Sequence, residues 1–352
     1  MTERPPGRAA GRPGLAGLRP AAATAVDAAL EAAVVPGFSR IGLAVRSALL
    51  PEYTAGGCPA ATGQTIVITG ATSGIGQAAA TELARRGATV HFLARDRGRA
   101  EQARASIAAA SGSTRVSYGL ADLEDLASVR AFAREFTVSH GRLHVLIHNA
   151  GAIHPRFATT ADGTELTFAG QVVAPFLLTS LLRPALLAAA PSRVIAVSSG
   201  GMYTQRLDPG RLEMTAAGYR GAVAYARAKR AQVALSREWA RRQAGTGIAF
   251  HAMHPGWVDT PGIAAALPGF RRLARPILRS AGQGAETIVW LATAPPAGLG
   301  SGRFWHDRRA RPEHLLPGAG AGDPAAAREL WECLAARTAT ERPGPAPARP
   351  SR

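Results

Sequence analysis

The sequence predicts an α/β protein built on a doubly wound parallel sheet. Three observations lead there. From Gln64 onward short β-branched runs alternate with longer stretches of helical periodicity, and a glycine-rich run sits at the first strand-to-helix junction. The chain also has 352 residues, 47% of them hydrophobic, which is ample for one large core. The elements follow in order. Thr65 to Thr69 reads as a strand, Ile75 to Arg86 as a helix, Thr89 to Leu93 as a strand and Arg97 to Ala110 as a helix. Arg115 to Tyr118, Leu143 to His148, Val194 to Ser198 and Ile248 to Met253 are further strands, with helical stretches between them. Sheets of this kind bind ligands beyond the carboxyl ends of their strands.

One catalytic domain over residues 64–315 is expected, with extensions at 1–63 and 316–352. The first twenty residues are rich in Pro, Gly and Arg and read as disordered. After Pro36-Gly37, the apolar positions Phe38, Ile41, Val45 and Leu49 recur at helical spacing. That helix fits either an interfacial membrane contact or docking on the main domain. Asp27 and Glu31 make the apolar stretch Ala21 to Val35 a poor signal segment, and it is too short to span a bilayer; no transmembrane helix is read. Asp323-Pro324 opens a short helix through Leu330, Trp331 and Leu334, and a disordered tail follows from about Arg342.

Charge and cysteine content narrow the function classes. A net charge of +17 raises nucleic acid or an acidic membrane as partner. The arginines are scattered, however, with no basic run interleaved with aromatics, so nucleic-acid binding is not expected. The bias towards Arg, Ala, Gly and Pro is that of a GC-rich, bacterial genome. A denser group, Arg271, Arg272, Arg275 and Arg279 followed by Arg303, Arg308, Arg309 and Arg311, leaves a weak peripheral contact with anionic membranes open beside composition bias. Cys58 and Cys333 lie far apart in no metal-ligand spacing, which predicts no metal site and fits a reducing cytoplasm.

The chemistry concentrates in two places. Thr69-Gly70-Ala71-Thr72-Ser73-Gly74-Ile75-Gly76 follows the first strand and opens a helix, so its backbone can approach a pyrophosphate under a helix N-terminus. Lys229, the only lysine in the chain, stands four residues after Tyr225. On a helix the two share a face, and an ammonium beside a phenol favours phenolate, which makes Tyr225 a general acid/base. A guanidinium cannot replace it, being flat and permanently charged.

The three-residue gap between Gly70 and Gly74 resembles that of the short-chain dehydrogenase/reductases, a Rossmann-type family. The other landmarks occur in the family's order: Asp122-Leu123, His148-Asn149-Ala150-Gly151, Ser198-Ser199, Tyr225 to Lys229, and His254-Pro255-Gly256 with Thr260. Ser199-Gly200-Gly201-Met202, Met253 to Gly262, Gly302 to Arg308 and Pro51-Glu52-Tyr53-Thr54 resemble in particular the dehydrogenase/reductase SDR family member 12 branch, related to the retinol dehydrogenases. The resemblance implies that Asp122 and Leu123 contact the adenine. It implies that Ser199 polarises a carbonyl, that Tyr225 transfers the proton, and that Lys229 lowers the pKa of Tyr225 and holds the nicotinamide ribose. The cofactor would also meet Gly70, Thr72, Ser73, Gly74, Ile75, Gly76, Asn149, Ala150, Gly151, Pro255, Gly256 and Thr260. At the end of the second strand, Ala94 and Arg95 stand where NAD-preferring members carry an acidic residue, so NADP(H) is favoured over NAD(H). Ser198 precedes Ser199 on a strand and points to the opposite face.

Two positions depart from the family pattern. His148 replaces the first asparagine of its turn and reads as a tolerated substitution. Gln171 stands where the family has a fourth catalytic residue, an asparagine whose main-chain carbonyl holds a water that links the lysine to solvent. Pro175 offers a remedy: it has no N–H, so the Gln171 carbonyl is released for that water. Between Ser199 and Tyr225 an insertion with Met202, Tyr203, Leu207, Leu212, Met214 and Tyr219 suggests a wall for a lipophilic substrate, or simply loop packing. Residues 257–282 occupy the segment that covers substrate in the family. The expected function is NADP(H)-dependent interconversion of a small lipophilic carbonyl and its alcohol. The alternative is a nucleotide-binding regulatory or structural protein with impaired turnover. The resemblance also suggests homo-oligomers through the Tyr225 helix, unless the extensions block it.

Overall fold

The computed structural model describes residues 20–50, 53, 58–315 and 323–338. The segments expected to be disordered, before Pro20 and from Arg342, lie outside these residues, as do positions 51, 52 and 54 of the Pro51 to Thr54 run. An eight-stranded sheet has the order β3-β2-β1-β4-β5-β6-β7-β8. Its strands are β1 Thr65–Thr69, β2 Thr89–Ala94, β3 Val116–Leu120, β4 Val145–His148, β5 Ser192–Val197, β6 Ile248–Met253, β7 Arg303–His306 and β8 Arg309–Ala310. All neighbouring pairs are parallel except β7 with β8. The doubly wound sheet read from the sequence is therefore observed, with strand ends displaced by one or two residues.

Helices cover both faces. Side chains alternate across β1: Ile66 and Ile68 join one apolar layer and Val67 the other. The first layer rests on α4 (Gly74–Arg85), α5 (Arg97–Ser111) and α11 (Ala281–Thr293). The second rests on α6 (Leu126–Ser139), α7 (Leu166–Ala188), α8 (Gly221–Arg242) and α12 (Asp323–Thr338). Local sequence starts several of these helices. The Asp96 carboxylate accepts from Arg99 N at 2.7 Å, Asp125 accepts from Ala127 N at 2.9 Å, and Ser280 with Gln283 forms a reciprocal capping box. Helix α7 is, among the described residues, the one long and apolar enough to cross a membrane, a feature passed over in the sequence. It is the central helix of the second layer, with Leu177, Leu178, Leu182 and Leu186 fully buried.

The amino-terminal extension docks on the domain through charge. It forms α1 (Pro20–Ala32), α2 (Val34–Phe38) and α3 (Arg40–Leu49). Of the apolar positions expected on one face, Phe38 is buried and Val45 and Leu49 are half-buried, but Ile41 is 49% exposed, and on α3 Leu43 and Arg46, with Leu50 after it, are buried. Arg46 sets that register. Its guanidinium reaches Asp27 Oδ1 at 2.7 Å, Glu31 Oε2 at 2.8 Å and Asp307 Oδ2 at 2.6 Å. Asp27 also holds Arg309 and Arg311, and Arg279 grips Asp307 at 2.6 Å. Five of the eight grouped arginines thus make ion pairs within the protein, counting Arg271 with Asp259 and Arg308 with Glu286. Asp307 and Arg308 turn β7 into β8 with φ of 51° and 59°, a left-handed conformation that costs non-glycine residues roughly 1–2 kcal/mol each and is held by these ion pairs. Glu31, His254 and His306 converge as potential metal ligands, but Arg46 and Arg311 already lie on Glu31, and their charge opposes a cation there.

Candidate active site

The strand order reverses between β1 and β4, and a cleft of about 470 Å³ opens at the carboxyl ends of these strands. All the site residues expected from the sequence line this cleft. At one end stand Gly70, Thr72, Ser73, Gly74, Ile75 and Gly76, with Arg95, Asp122 and Leu123; Asn149, Ala150 and Gly151 form the floor. Ser199, Tyr225, Lys229 and Gln171 line the same cleft, as do Pro255, Gly256 and Thr260, the last standing against Gly74.

The glycine turn is fixed by its neighbours. Gly70 has φ +70°, and a Cβ there would stand 2.8 Å from Ala150 Cα, so only glycine lets β1 and the β4 turn close up. Asn149 Nδ2 donates to the carbonyls of Thr69 and Gly70 at 3.0 and 3.1 Å, and Thr69 Oγ1 accepts from the N–H groups of Asn149 and Ala150. Asn149 therefore shapes the cradle by stapling two strand ends. Ser73 opens α4 without a side-chain capping bond, which leaves its hydroxyl available to a ligand beside the helix N-terminus. Arg99, which the sequence reading missed, lines the cleft with Arg95; only four residues further on in the first turn of α5, it was hidden among the many other arginines. These residues fit a dinucleotide: a close backbone approach, a helix N-terminus for the pyrophosphate and two guanidiniums at the far rim.

At the reactive end Lys229 is 2% exposed, and burial pulls its pKa down to about 7. Its ammonium donates to Val197 O at 2.9 Å and Gln232 Oε1 at 3.1 Å, and stands 5.3 Å from the centre of the Tyr225 ring. The Tyr225 phenol is pushed up by burial and drawn partly back by a hydrogen bond with Ser199. The lysine was expected to lower it; the phenol's net shift is upward, set by burial and opposed by Ser199. Ser199 also accepts from Gly201 N at 3.2 Å, while Ser198 faces away and donates to Lys229 O at 2.8 Å, fastening α8 to β5.

Gln171 sits in a π-helical turn of α7, Ala169–Val173, just before Pro175. Its carbonyl, expected to hold a water, already accepts one hydrogen bond from a side chain. Gln232 Nε2 donates to it at 2.7 Å, and the Gln171 side chain reaches across to Ala152 O at 2.6 Å. His148 is buried against Thr179 Oγ1 at 2.8 Å, with its pKa pulled down to about 3 by burial and by Lys229. It acts as a packed neutral imidazole.

The 199–225 insertion does not form a substrate wall. Met202 packs with Val233, Ala252 and Phe304, Leu207 and Leu212 enter the main core, and none of the six residues lines the cleft. Its apolar side chains instead cover α8. Apolar side chains that do line the cleft include Ile153, Trp257, Ile263 and Phe270, the latter three carried by the 257–282 segment with helices α9 (Pro261–Ala266) and α10 (Pro268–Ala274). The loop beneath it is tied to the extension: Trp257 N donates to Phe38 O at 2.7 Å, and the Phe38 ring lies 4.4 Å from that of His254.

Residues 64–268 match the family model described as short chain dehydrogenase. Over 273 residues, the chain is 41% identical to human dehydrogenase/reductase SDR family member 12, covering 77% of this chain and 85% of that one. It is 37% identical to mouse retinol dehydrogenase 14, covering 77% and 84%. Among solved structures, an uncharacterised protein from Mycobacterium paratuberculosis superposes with a TM-score of 0.65 at 30% identity, over 82% of this chain and 97% of that one. The RhlG/NADP active-site complex from Pseudomonas aeruginosa does so at 0.57 and 25%, over 70% and 94%. A doubly wound sheet, a glycine cradle at its switch point, a serine, tyrosine and lysine at the far end of the same cleft, and these likenesses together establish that the chain belongs to the short-chain dehydrogenase/reductase family of oxidoreductases.

Proposed function

We propose that the protein interconverts a small lipophilic carbonyl compound and its alcohol, using NADP(H) in preference to NAD(H). The observation that carries this reading is a single cleft with Ser199, Tyr225 and Lys229 at one end and Ser73, Arg95 and Arg99 at the other. A nicotinamide dinucleotide bound there supplies or accepts the hydride. The protein's own groups handle the oxygen. Ser199 donates to it, Tyr225 delivers or removes its proton, and Lys229 holds positive charge beneath the phenol. Apolar side chains of Trp257, Ile263 and Phe270 favour an apolar substrate, as does the likeness to a retinol dehydrogenase.

The same reading assigns the chain to a reducing cytoplasm, where Cys58 and Cys333 remain thiols. Arg272 and Arg275, exposed around Leu273 at 87% exposure, are what the arginine group retains for weak contact with an anionic membrane. Oligomers through α8 are not part of the proposal, because α12 packs on that helix, with Trp239 and Trp331 ring centres 4.5 Å apart.

The regulatory alternative is favoured by one observation, the Gln171 carbonyl occupied by Gln232. A panel of aldehydes and ketones, assayed by NADPH consumption, separates the two. Turnover of aliphatic or aromatic members is expected; inertness towards the whole panel, with NADPH still bound, would favour the regulatory protein.

A further inference from the structure

We infer that Gln232 is a positioning residue that fixes the Lys229 ammonium, bridging it with its own side chain to the main-chain carbonyl of Gln171. The inference rests on the proposed role of Lys229. Gln232 lies one helical turn beyond Lys229 on α8 and is 5% exposed. Its Oε1 accepts from Lys229 Nζ at 3.1 Å and its Nε2 donates to Gln171 O at 2.7 Å. The carboxamide can satisfy both partners in only one orientation. Reversed, it would set NH₂ against ammonium and oxygen against carbonyl oxygen.

Two features of α7 make the bridge available. Pro175 has no N–H to give the Gln171 carbonyl, and the π turn at Ala169–Val173 surrounds that carbonyl. Gln232 supplies a donor where Pro175 supplies none, and its other end meets the lysine. A carboxamide carries no proton that it can release near neutral pH, so the bridge holds the ammonium without passing its proton onward. Besides Gln232, the Lys229 ammonium donates to the carbonyl of Val197 at 2.9 Å, an acceptor that carries no charge and does not titrate. Tyr225 faces it from its own helix and a neutral His148 from the end of β4, and burial alone accounts for its lowered pKa among the described residues.

Because Lys229 is the only lysine, its titration can be read directly. Protein labelled with ¹³C at lysine Cε gives one lysine signal, whose shift against pH reports the ammonium without reference to turnover. Gln232→Met removes a neutral acceptor from the charged form and should lower the Lys229 midpoint by about one unit; Gln232→Glu places a carboxylate there and should raise it by about one unit or more. The pH at which kcat falls as the ammonium is lost should move in the same two directions. A role confined to packing would weaken activity without displacing either midpoint. Thermal melts check that the variants fold; if Gln232→Met does not, Gln232→Asn, whose shorter amide cannot span both partners, should give a smaller lowering. A Lys229 signal that titrates as in the wild type in the folded Met or Asn variant overturns the inference. Displacement of the signal in a protein inert towards every carbonyl tested leaves the bridge standing and removes the proposed function instead.

Discussion

At the scale of residues, the proposed chemistry divides one task between Tyr225 and Lys229. Burial pushes the phenol up and the ammonium down to about 7, so each is displaced towards its neutral form. Ser199 is the group that opposes this at the phenol. Tyr225→Phe should therefore cut turnover by roughly 10²–10⁴-fold, the usual contribution of a positioned acid/base, while the NADPH dissociation constant hardly changes. Lys229→Arg is the stricter case. A Cβ at Gly151 would lie 2.9 Å from the lysine nitrogen, so a guanidinium has no room there, and it cannot give up its proton. Its activity should fall as far as that of Tyr225→Phe, and full activity would show that position 229 requires only charge. Arg95 and Arg99, which line the cleft, are both exposed, so in the proposed NADP complex each would contribute through a solvent-screened bond to the 2′-phosphate. Single Arg→Ala variants should each reduce the preference for NADPH over NADH by about tenfold, or about 1.4 kcal/mol, just under the ~1.5–3 kcal/mol expected of less exposed hydrogen bonds to charged groups. Equal wild-type dissociation constants for the two cofactors would remove the NADP assignment.

At the scale of elements, the amino-terminal extension is part of the working structure. Backbone of α2 supports the loop after β6, through Phe38 O to Trp257 N and through Arg279, which donates to Gly37 O and Ser39 O at 3.2 Å. Gly256 permits this approach. It has φ +77°, and a Cβ there would meet Phe38 O at 2.6 Å. Arg46 locks α3 to the far end of the sheet, and removing one member of a buried ion cluster leaves its partners uncompensated. Arg46→Met should destabilise the protein by about 3–5 kcal/mol and weaken NADPH binding as the loop loosens. Arg46→Lys should rescue little, since one ammonium cannot serve three carboxylates in planar geometry. Ile41→Ser, on the face that apolar spacing singled out, should change stability by less than about 0.5 kcal/mol, because that side chain is half exposed. Chemical denaturation of the three variants measures this directly. A large loss for Ile41→Ser with none for Arg46→Met would mean that apolar docking, not charge, holds the extension.

At the scale of the whole molecule, what the sequence revealed and what it hid divide by distance along the chain. The Gly70 to Gly76 turn and the Tyr225 and Lys229 pair were legible because their chemistry depends on spacing within one or two helical turns. The face of α3 was not, since Arg46 answers to Asp307, 261 residues away, and such a partner leaves no periodicity. Gln232 was hidden for the same reason, its carbonyl lying 61 residues earlier. The insertion after Ser199 misled because apolar residues look the same whether they line a cleft or a core. Strands β7 and β8 were read only as a motif, their turn depending on left-handed residues held by distant arginines. One global consequence of this burial is sensitivity to acid. His148 and His251 are pulled down to about 3, and His254 and His306 well below their ordinary value, so all four stay neutral in the fold at pH 5, whereas unfolded histidines take up protons below about pH 6.5. The unfolded chain then binds more protons than the native one, and stability must fall as pH falls. Each histidine contributes up to about 2 kcal/mol of that loss between pH 6.5 and 5, together a large share of the ~5–15 kcal/mol that ordinarily holds a domain. Asp27 and Asp307 add to it only later, as their carboxylates, held well below the usual range by arginines, lose an advantage that begins to fade below about pH 4. The melting temperature should therefore decline steadily from pH 7 to pH 5, before Asp27 or Asp307 titrates, and a flat profile over that interval would mean that these histidines are hydrated or charged in the native protein.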